Sequence, residues 1–412
     1  MHTGLFLTAQ GLMAPALPGQ VGAPKIPRRP VLERAGIALL LLPSPMPRLL
    51  RTCLFAAALL SGLALPALAQ PRTEVIARGL ASPWALAILP DGRLLVTERA
   101  GRLRLIGVDG RPQPPLAGLP PVDAGGQCGL LDLAVDPKFA ENRRLYWTYA
   151  EAGEDGNGVA VARGRLEGGR LEDVRVIFRQ LPKVRSSLHC GSRIVVGRDG
   201  TLYVGLGDRF TRKDDAQDAG NHLGKVIRIT PEGAVPVDNP FVGQAGRAPE
   251  IWSLGHRNIQ GAAAHPATGE VWMTEHGPQG GDELNVVEAG RNYGWPLLTF
   301  GRNYGIGTRI GEEGPRAGFE QPLRTWVPTS VAPSGMAFVT SERYPGWQGS
   351  LLLGTLRGES LLRLTLDGRK VVAEERLLQT LKERVRDVRQ GPDGWIYVLT
   401  DSADGKVLRL RP

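Results

Sequence analysis

Repetition is the property that most limits what this chain can become. Six times between residues 89 and 410 a turn signal precedes a short alternating strand, usually with a second strand behind it. The units are LPDGRLLVTERAGRLRLI (89–106), DPKFAENRRLYWTY (136–149), GRDGTLYVGLGDRF (197–210), HPATGEVWMTEHG (265–277), YPGWQGSLLLGTLRGESLLRL (344–364) and GPDGWIYVLTDSADGKVLRL (391–410). One turn and a few strands cannot bury their own apolar face, so such units must stack on one another. No long 3.6-residue periodicity competes. The pattern predicts an all-β fold, a six-bladed β-propeller; a β-sandwich with long insertions is the alternative. The spacing is less regular than in a WD-type array, and the gaps at 151–185 and 278–344 read as loops carried on one face. An open ring would expose sheet edges, so a strand near TEVIARGL (73–80) is expected to pair with the last blade.

The front end stands apart from this pattern. Residues 46–69, MPRLLRTCLFAAALLSGLALPALA, place Arg48 and Arg51 before an apolar run that ends in Ala67-Leu68-Ala69, the form of a signal-peptidase site. The run is short for a transmembrane anchor. Residues 1–45 precede Met46 and read as an over-extended start, which leaves 70–412 as the catalytic domain of a periplasmic or secreted protein with no membrane span. Removing residues 1–69 takes away six Lys/Arg and one Glu and brings the formal charge from +9 to +4. The remaining basic residues are scattered singly, which argues against a nucleic-acid partner. No extra interface segment is evident, and the chain reads as a monomer.

Propellers carry function where loops from several blades meet at the channel mouth, and chemistry-bearing residues recur beside these units. Gln127 precedes unit two, His189 precedes unit three, and Asp208 lies near its end. SLGHRNIQG (253–261) precedes unit four, with Arg257 and Asn258 inside it, and Arg384 and Arg386 precede unit six. Histidine titrates near neutrality and suits proton abstraction, so His189 is a candidate base; a histidine before a strand also serves simply as structure. No H-x-x-x-H or G-x-S-x-G motif is present. In EHGPQGGDELN (275–285), a Gly-Pro turn offers carbonyls while Asp282 and Glu283 offer carboxylates, a donor set that suits Ca²⁺. A solvated acidic turn accounts for the same residues equally well.

Taken together, HCGSRIVVG with GLGDR, SLGHRNIQG, EHGPQGGDELN followed by NYGWP, and RVRD before GPDG resemble the soluble pyrroloquinoline quinone (PQQ)-dependent glucose/aldose sugar dehydrogenases, over essentially the whole of 70–412. The resemblance implies PQQ at the channel mouth. Arg384 and Arg386 match a cofactor-binding pair, Arg257 and Asn258 match residues at the quinone oxygens, and Gln127 matches a residue near sugar and cofactor. Arg357, in TLRGESL, stands where glucose-specific members use a lysine, which is a departure. The carbonyls of Gly277 and Pro278 match ligands of a cofactor-bound Ca²⁺, while Glu283 and the Tyr293 carbonyl match a second, structural Ca²⁺ site facing the other way. His189 is implied as the base, Asp208 as its orienting partner and Arg257 as the stabiliser of developing negative charge. The implied reaction oxidises an aldose at C1 to the lactone and passes electrons to an external acceptor such as a periplasmic cytochrome or quinone. A calcium-dependent lactonase and a non-catalytic glycan-binding propeller are the competing functions for such an architecture.

Cys128 and Cys190 are the two cysteines beyond residue 69, and each follows a mouth residue, Gln127 or His189. Matching phases on adjacent blades allow a disulfide in an oxidising compartment; two buried free thiols are the alternative.

Overall fold

The computed structural model describes residues 70–412, and the expected leader and signal segments, 1–45 and 46–69, lie outside the described residues. Strand β1 (Arg72–Leu80) is followed by blade one, made of β2 (Pro83–Ile88), β3 (Leu94–Glu98) and β4 (Arg102–Ile106). Blade two is β5 (Leu130–Val135), β6 (Arg144–Gly153), β7 (Gly156–Glu167) and β8 (Arg170–Arg179). Blade three is β9 (Gly191–Val196), β10 (Leu202–Leu206), β11 (Lys225–Ile229) and β12 (Ile251–Leu254). Blade four is β13 (Ile259–Ala264), β14 (Val271–Glu275), β15 (Asp282–Val286) and β16 (Arg324–Trp326). Blade five is β17 (Pro333–Phe338), β18 (Leu351–Thr355), β19 (Ser360–Asp367) and β20 (Lys370–Leu377). Blade six is β21 (Val385–Gln390), β22 (Ile396–Thr400) and β23 (Gly405–Arg411), completed by β1.

The chain is a six-bladed β-propeller of antiparallel sheets. The innermost strands β2, β5, β9, β13, β17 and β21 neighbour one another in that order, and β21 returns to β2. Closure is the expected one: β1 pairs with β23, with Arg72 opposite Arg411 and Val75 opposite Leu408. It leaves β23 with a partner on both sides.

Because each sheet is covered on both faces, the second strands read as near-continuous apolar runs rather than clean alternations; β18, LLLGT, is buried at every residue. Trp147 and Trp272 are wholly buried between sheets, where truncation to Ala costs about 3–5 kcal/mol.

The expectation of loops at 151–185 fails, because β7 and β8 fill most of it. These are outer strands with one solvated side, and the burial of β8 scatters rather than alternating, so the period-2 signal is blurred. The gap at 278–344 likewise holds β15, β16 and β17, with irregular chain over most of 287–323.

Buried charge crosses the central channel. Arg193 on β9 donates to Asp132 on β5 and Asp387 on β21, each at 3.1 Å, and its guanidinium lies 4.1 Å from the Trp84 ring. Arg389 joins the same two carboxylates at 3.0 Å. Arg193, Asp132 and Asp387 have no exposed surface, and the attraction among opposite charges offsets the cost of removing them from water.

Candidate active site

In every blade the inner strand begins, and the second strand ends, at the same edge of the antiparallel sheet. That edge gathers Gln127, His189, Asn258 and Arg384 from the starts of inner strands. From the ends of second strands it gathers Arg99, Asp208, His276, Leu356 and Asp401. Trp84, Arg99, Gln127, Asn258, Gln260, His276, Leu356, Arg384, Arg386 and Asp401 surround a cleft of about 220 Å³.

Beside it, His189 Nδ1 and Asp208 Oδ1 are 2.7 Å apart, and Nε2 has no protein partner among the described residues. The second Asp208 oxygen accepts the Trp295 indole N–H at 2.8 Å, and the Phe210 N–H donates to Oδ1 at 2.8 Å. Gln127 Oε1 accepts the His189 backbone N–H at 2.9 Å, so the base candidate is held at main chain and side chain alike. Gly207 is required next to it, since a Cβ there would collide with the His189 carbonyl. Burial pulls the His189 imidazole below its ordinary value against the Asp208 hydrogen bond, and the Arg257 charge adds to the lowering. Burial opposes ionisation of Asp208, but His189 and Arg257 outweigh it and hold the carboxyl below its usual range. Such a pair is a neutral imidazole backed by a carboxylate, ready to accept a proton at Nε2.

Arg257 donates through Nη1 to the carbonyls of His276 and Gly277, at 2.8 and 2.7 Å, and stands 5.2 Å from the Trp295 ring. Asn258 accepts the Gly191 N–H at 3.2 Å. Arg384 and Arg386 both donate to Asp401 Oδ2 at 2.9 Å. Burial lowers Arg386 to about 10, which still leaves it charged at neutral pH, while the Arg386 and Arg384 charges overcome burial to keep Asp401 ionised. His276 is taken down to about 3 by burial and stays neutral. The Nε donors of Arg99, Arg257 and Arg386 are buried without acceptors. Guanidinium groups left with unpaired buried donors around one cleft fit a flat polycarboxylate.

Arg357 is not brought to this cleft. Its side chain is exposed, its backbone N–H is bonded to the Val331 carbonyl at 3.1 Å, and the neighbouring Leu356 lines the wall instead.

The turn after β14 differs from its expectation in one respect. Asp282 is no free ligand: Oδ1 accepts the Gly277 N–H at 2.9 Å, and Oδ2 accepts Ser330 Oγ at 2.7 Å and the N–H groups of Val331 and Ala332 at 2.8 and 2.9 Å. It ties the turn to the entry of blade five. Gly277 and Glu283 both line a cavity of about 10 Å³ with Glu275, Arg257 and Tyr293. That is about the room of one water-sized occupant. Burial, and then the Glu275 charge, push the Glu283 carboxyl well above its ordinary value. Asn285 Nδ2 donates to Glu283 at 3.2 Å, while its Oδ1 is buried without a donor. Crowded carboxylates beside an unpartnered amide oxygen fit a hard cation. The Tyr293 phenol donates to the Val286 carbonyl and its ring stacks 4.7 Å from His256, so only its backbone remains available.

Cys128 and Cys190 form a disulfide with a Cα separation of 5.7 Å, joining the segments that carry Gln127 and His189.

The chain matches the Glucose / Sorbosone dehydrogenase family over residues 80–409. It belongs to that family. The aldose sugar dehydrogenase YliI of Escherichia coli (strain K12) is 43% identical over 350 residues, covering 84% of this chain and 94% of its own. A crystal structure of a glucose dehydrogenase is 50% identical with a TM-score of 0.80, covering 82% of this chain and 99% of that one. The PQQ-bound aldose sugar dehydrogenase of Streptomyces coelicolor is 29% identical with a TM-score of 0.65, covering 83% and 98%. Arg99, Trp84, Gln260 and Asp401 line the cleft and Trp295 donates to Asp208, and none of the five was expected as a site residue. Register could have found two of them: Arg99, His276, Leu356 and Asp401 each stand one residue beyond the second strand of their blade.

Proposed function

We propose that this protein is a PQQ-dependent aldose sugar dehydrogenase that oxidises the sugar at C1 to the lactone. The observation that carries the reading is the His189–Asp208 pair, 2.7 Å apart with Nε2 free, beside a cleft walled by arginines with unpaired donors. Bound PQQ supplies a two-electron acceptor for the hydride that leaves C1. Arg384 and Arg386 would hold the cofactor's carboxylates, Asn258 and Arg257 would meet its quinone oxygens, and Gln127 would close the wall nearest the sugar. His189 Nε2 takes the proton of the anomeric hydroxyl, and Asp208 stabilises the imidazolium that results. Arg257 counters negative charge that develops opposite the base. The proton then returns to solvent, and an external acceptor, such as a periplasmic cytochrome or quinone, restores the enzyme.

Calcium completes the proposal. The Gly277 and Pro278 carbonyls would hold one ion at the cofactor, and Glu283 with the Tyr293 carbonyl would hold a structural one, with hard oxygen donors throughout. Export before folding, with removal of residues 46–69, belongs to the same reading, since a disulfide joins the site segments.

The test is dye-linked oxidation of glucose and other aldoses by purified protein titrated with PQQ and Ca²⁺. Activity that needs both is the expected result. Tight PQQ binding without oxidation of any aldose would sink the dehydrogenase reading, and lactone hydrolysis in its place would favour the calcium-dependent lactonase.

A further inference from the structure

Arg99 belongs to blade one, the blade from which no site residue was expected. It follows β3 directly, at the register that His276 holds in blade four and Asp401 in blade six. Its backbone is pinned on both sides: the N–H donates to the Ser82 carbonyl at 3.1 Å, and its carbonyl accepts the Leu130 N–H at 3.0 Å. Blade two packs so closely there that Gly129, at φ +149°, has no room for a Cβ against the Arg99 carbonyl.

The side chain is less well served. Nη1 donates to the Gly126 carbonyl at 2.8 Å, but the buried Nε has no acceptor, and Arg99 takes part in no ion pair among the described residues. The neighbouring carboxylate does not neutralise it. Glu98 accepts Arg102 Nε at 2.6 Å and the Ala81 N–H at 2.7 Å, and Arg104 lies 3.7 Å away on its other side. In the neighbouring blade six, Arg384 and Arg386 already share Asp401. Arg99 is therefore the cleft cation with no counter-charge, and leaving a guanidinium donor buried and unpaired is costly unless an acceptor arrives with the ligand.

The geometry points to Arg99 as a further anion-binding residue that holds a carboxylate of PQQ, in the part the family resemblance gave to Arg357. The assignment rests on the proposed cofactor and adds a third blade to its binding. Arg99 extends the cationic wall formed by Arg384 and Arg386 from blade six onto the adjacent blade one, which suits a rigid ligand carrying more than one carboxylate at its edge better than the Arg384–Arg386 pair alone would.

The experiment measures the Kd of purified apoprotein for PQQ, and for its uncharged trimethyl ester, by tryptophan-fluorescence quenching. Arg99→Gln should raise the Kd for PQQ about 10- to 100-fold, the range of a lost charge-assisted hydrogen bond. The ester should bind Arg99→Gln and wild type alike, and Arg99→Lys, which keeps the charge without the fork, should fall between them for PQQ. Arg357→Gln should match wild type. An Arg99→Gln Kd within about twofold of wild type overturns the assignment while leaving the cofactor reading intact. So does an equal loss for PQQ and ester, which would mean that Arg99 acts only by holding Gly126. If wild type binds no PQQ, assignment and cofactor reading fall together.

Discussion

The two sides of the cleft differ in how complete they are. On the side of blades three and four, Asp208 serves the His189 imidazole, the Trp295 indole and the Phe210 backbone, so its carboxylate is fully engaged. On the side of blades one and six, two arginines share a single aspartate while Arg99 has no carboxylate partner among the described residues, and Arg99 and Arg386 each keep a buried donor without an acceptor. One side is finished before any ligand arrives; the other is finished by the ligand. Arg257, at the entry of blade four, also keeps an unpaired Nε. The contrast suggests a division of labour in which the first side sets the rate and the second sets affinity.

The sharpest way to break this division is His189→Gln. On the proposed reading kcat falls about 10²–10⁴-fold while the PQQ Kd stays near wild type, and Asp208→Asn does less. A parallel loss of cofactor affinity would erase the distinction. The disulfide comes next, because it links the Gln127 and His189 segments. Replacing both Cys128 and Cys190 by Ser should lower stability by about 4 kcal/mol in the chain-entropy account, read from urea unfolding, with the PQQ Kd preserved.

Third is Glu283→Gln, which should abolish the rise in melting temperature on adding Ca²⁺; a site filled at a hundred times its Kd contributes about 2.7 kcal/mol. An undiminished rise in the variant would return Glu283 to a purely structural part. On the affinity side, Arg384→Gln should weaken PQQ about tenfold, with kcat at saturating cofactor unchanged. Arg384 is half exposed, so the change leaves the fold intact. The smallest effect is in pH. Because His189 is held below its ordinary value, kcat/KM should climb as pH rises along a limb whose midpoint lies below about pH 6.5, above which the neutral base predominates. Asp208→Asn removes the bond that raises that value and should move the limb lower still; a limb above about pH 6.5 would contradict a buried base.

The same contrast separates what was legible in the sequence from what was not. The turn-and-strand units mark the second strand of every blade, because turn residues there carry strong local chemistry; inner and outer strands lack such flags, so β7 and β8 passed for loop. His189 and Asp208 announced themselves as polar residues beside glycines. Arg99 did not, since TERAG reads as an ordinary strand end, and only its register against Asp401 gives it away. Arg357 is the opposite case: its motif singled it out, yet its side chain is exposed and Leu356 lines the cleft beside it. Asp282 looked like a ligand because composition cannot tell a free carboxylate from one already accepting four bonds.

The ion network across the channel governs traffic. Arg193, Asp132 and Asp387 close the axis beneath Trp84, and the cavity of about 490 Å³ at the opposite end, walled by alanines and branched aliphatics, stops at the same barrier from below. Whatever reaches the cleft must enter and leave by one door. On the proposed function, sugar, lactone and electron acceptor would take turns, so steady-state plots at several acceptor concentrations should give parallel lines, and a large excess of sugar should slow turnover by keeping the acceptor waiting outside.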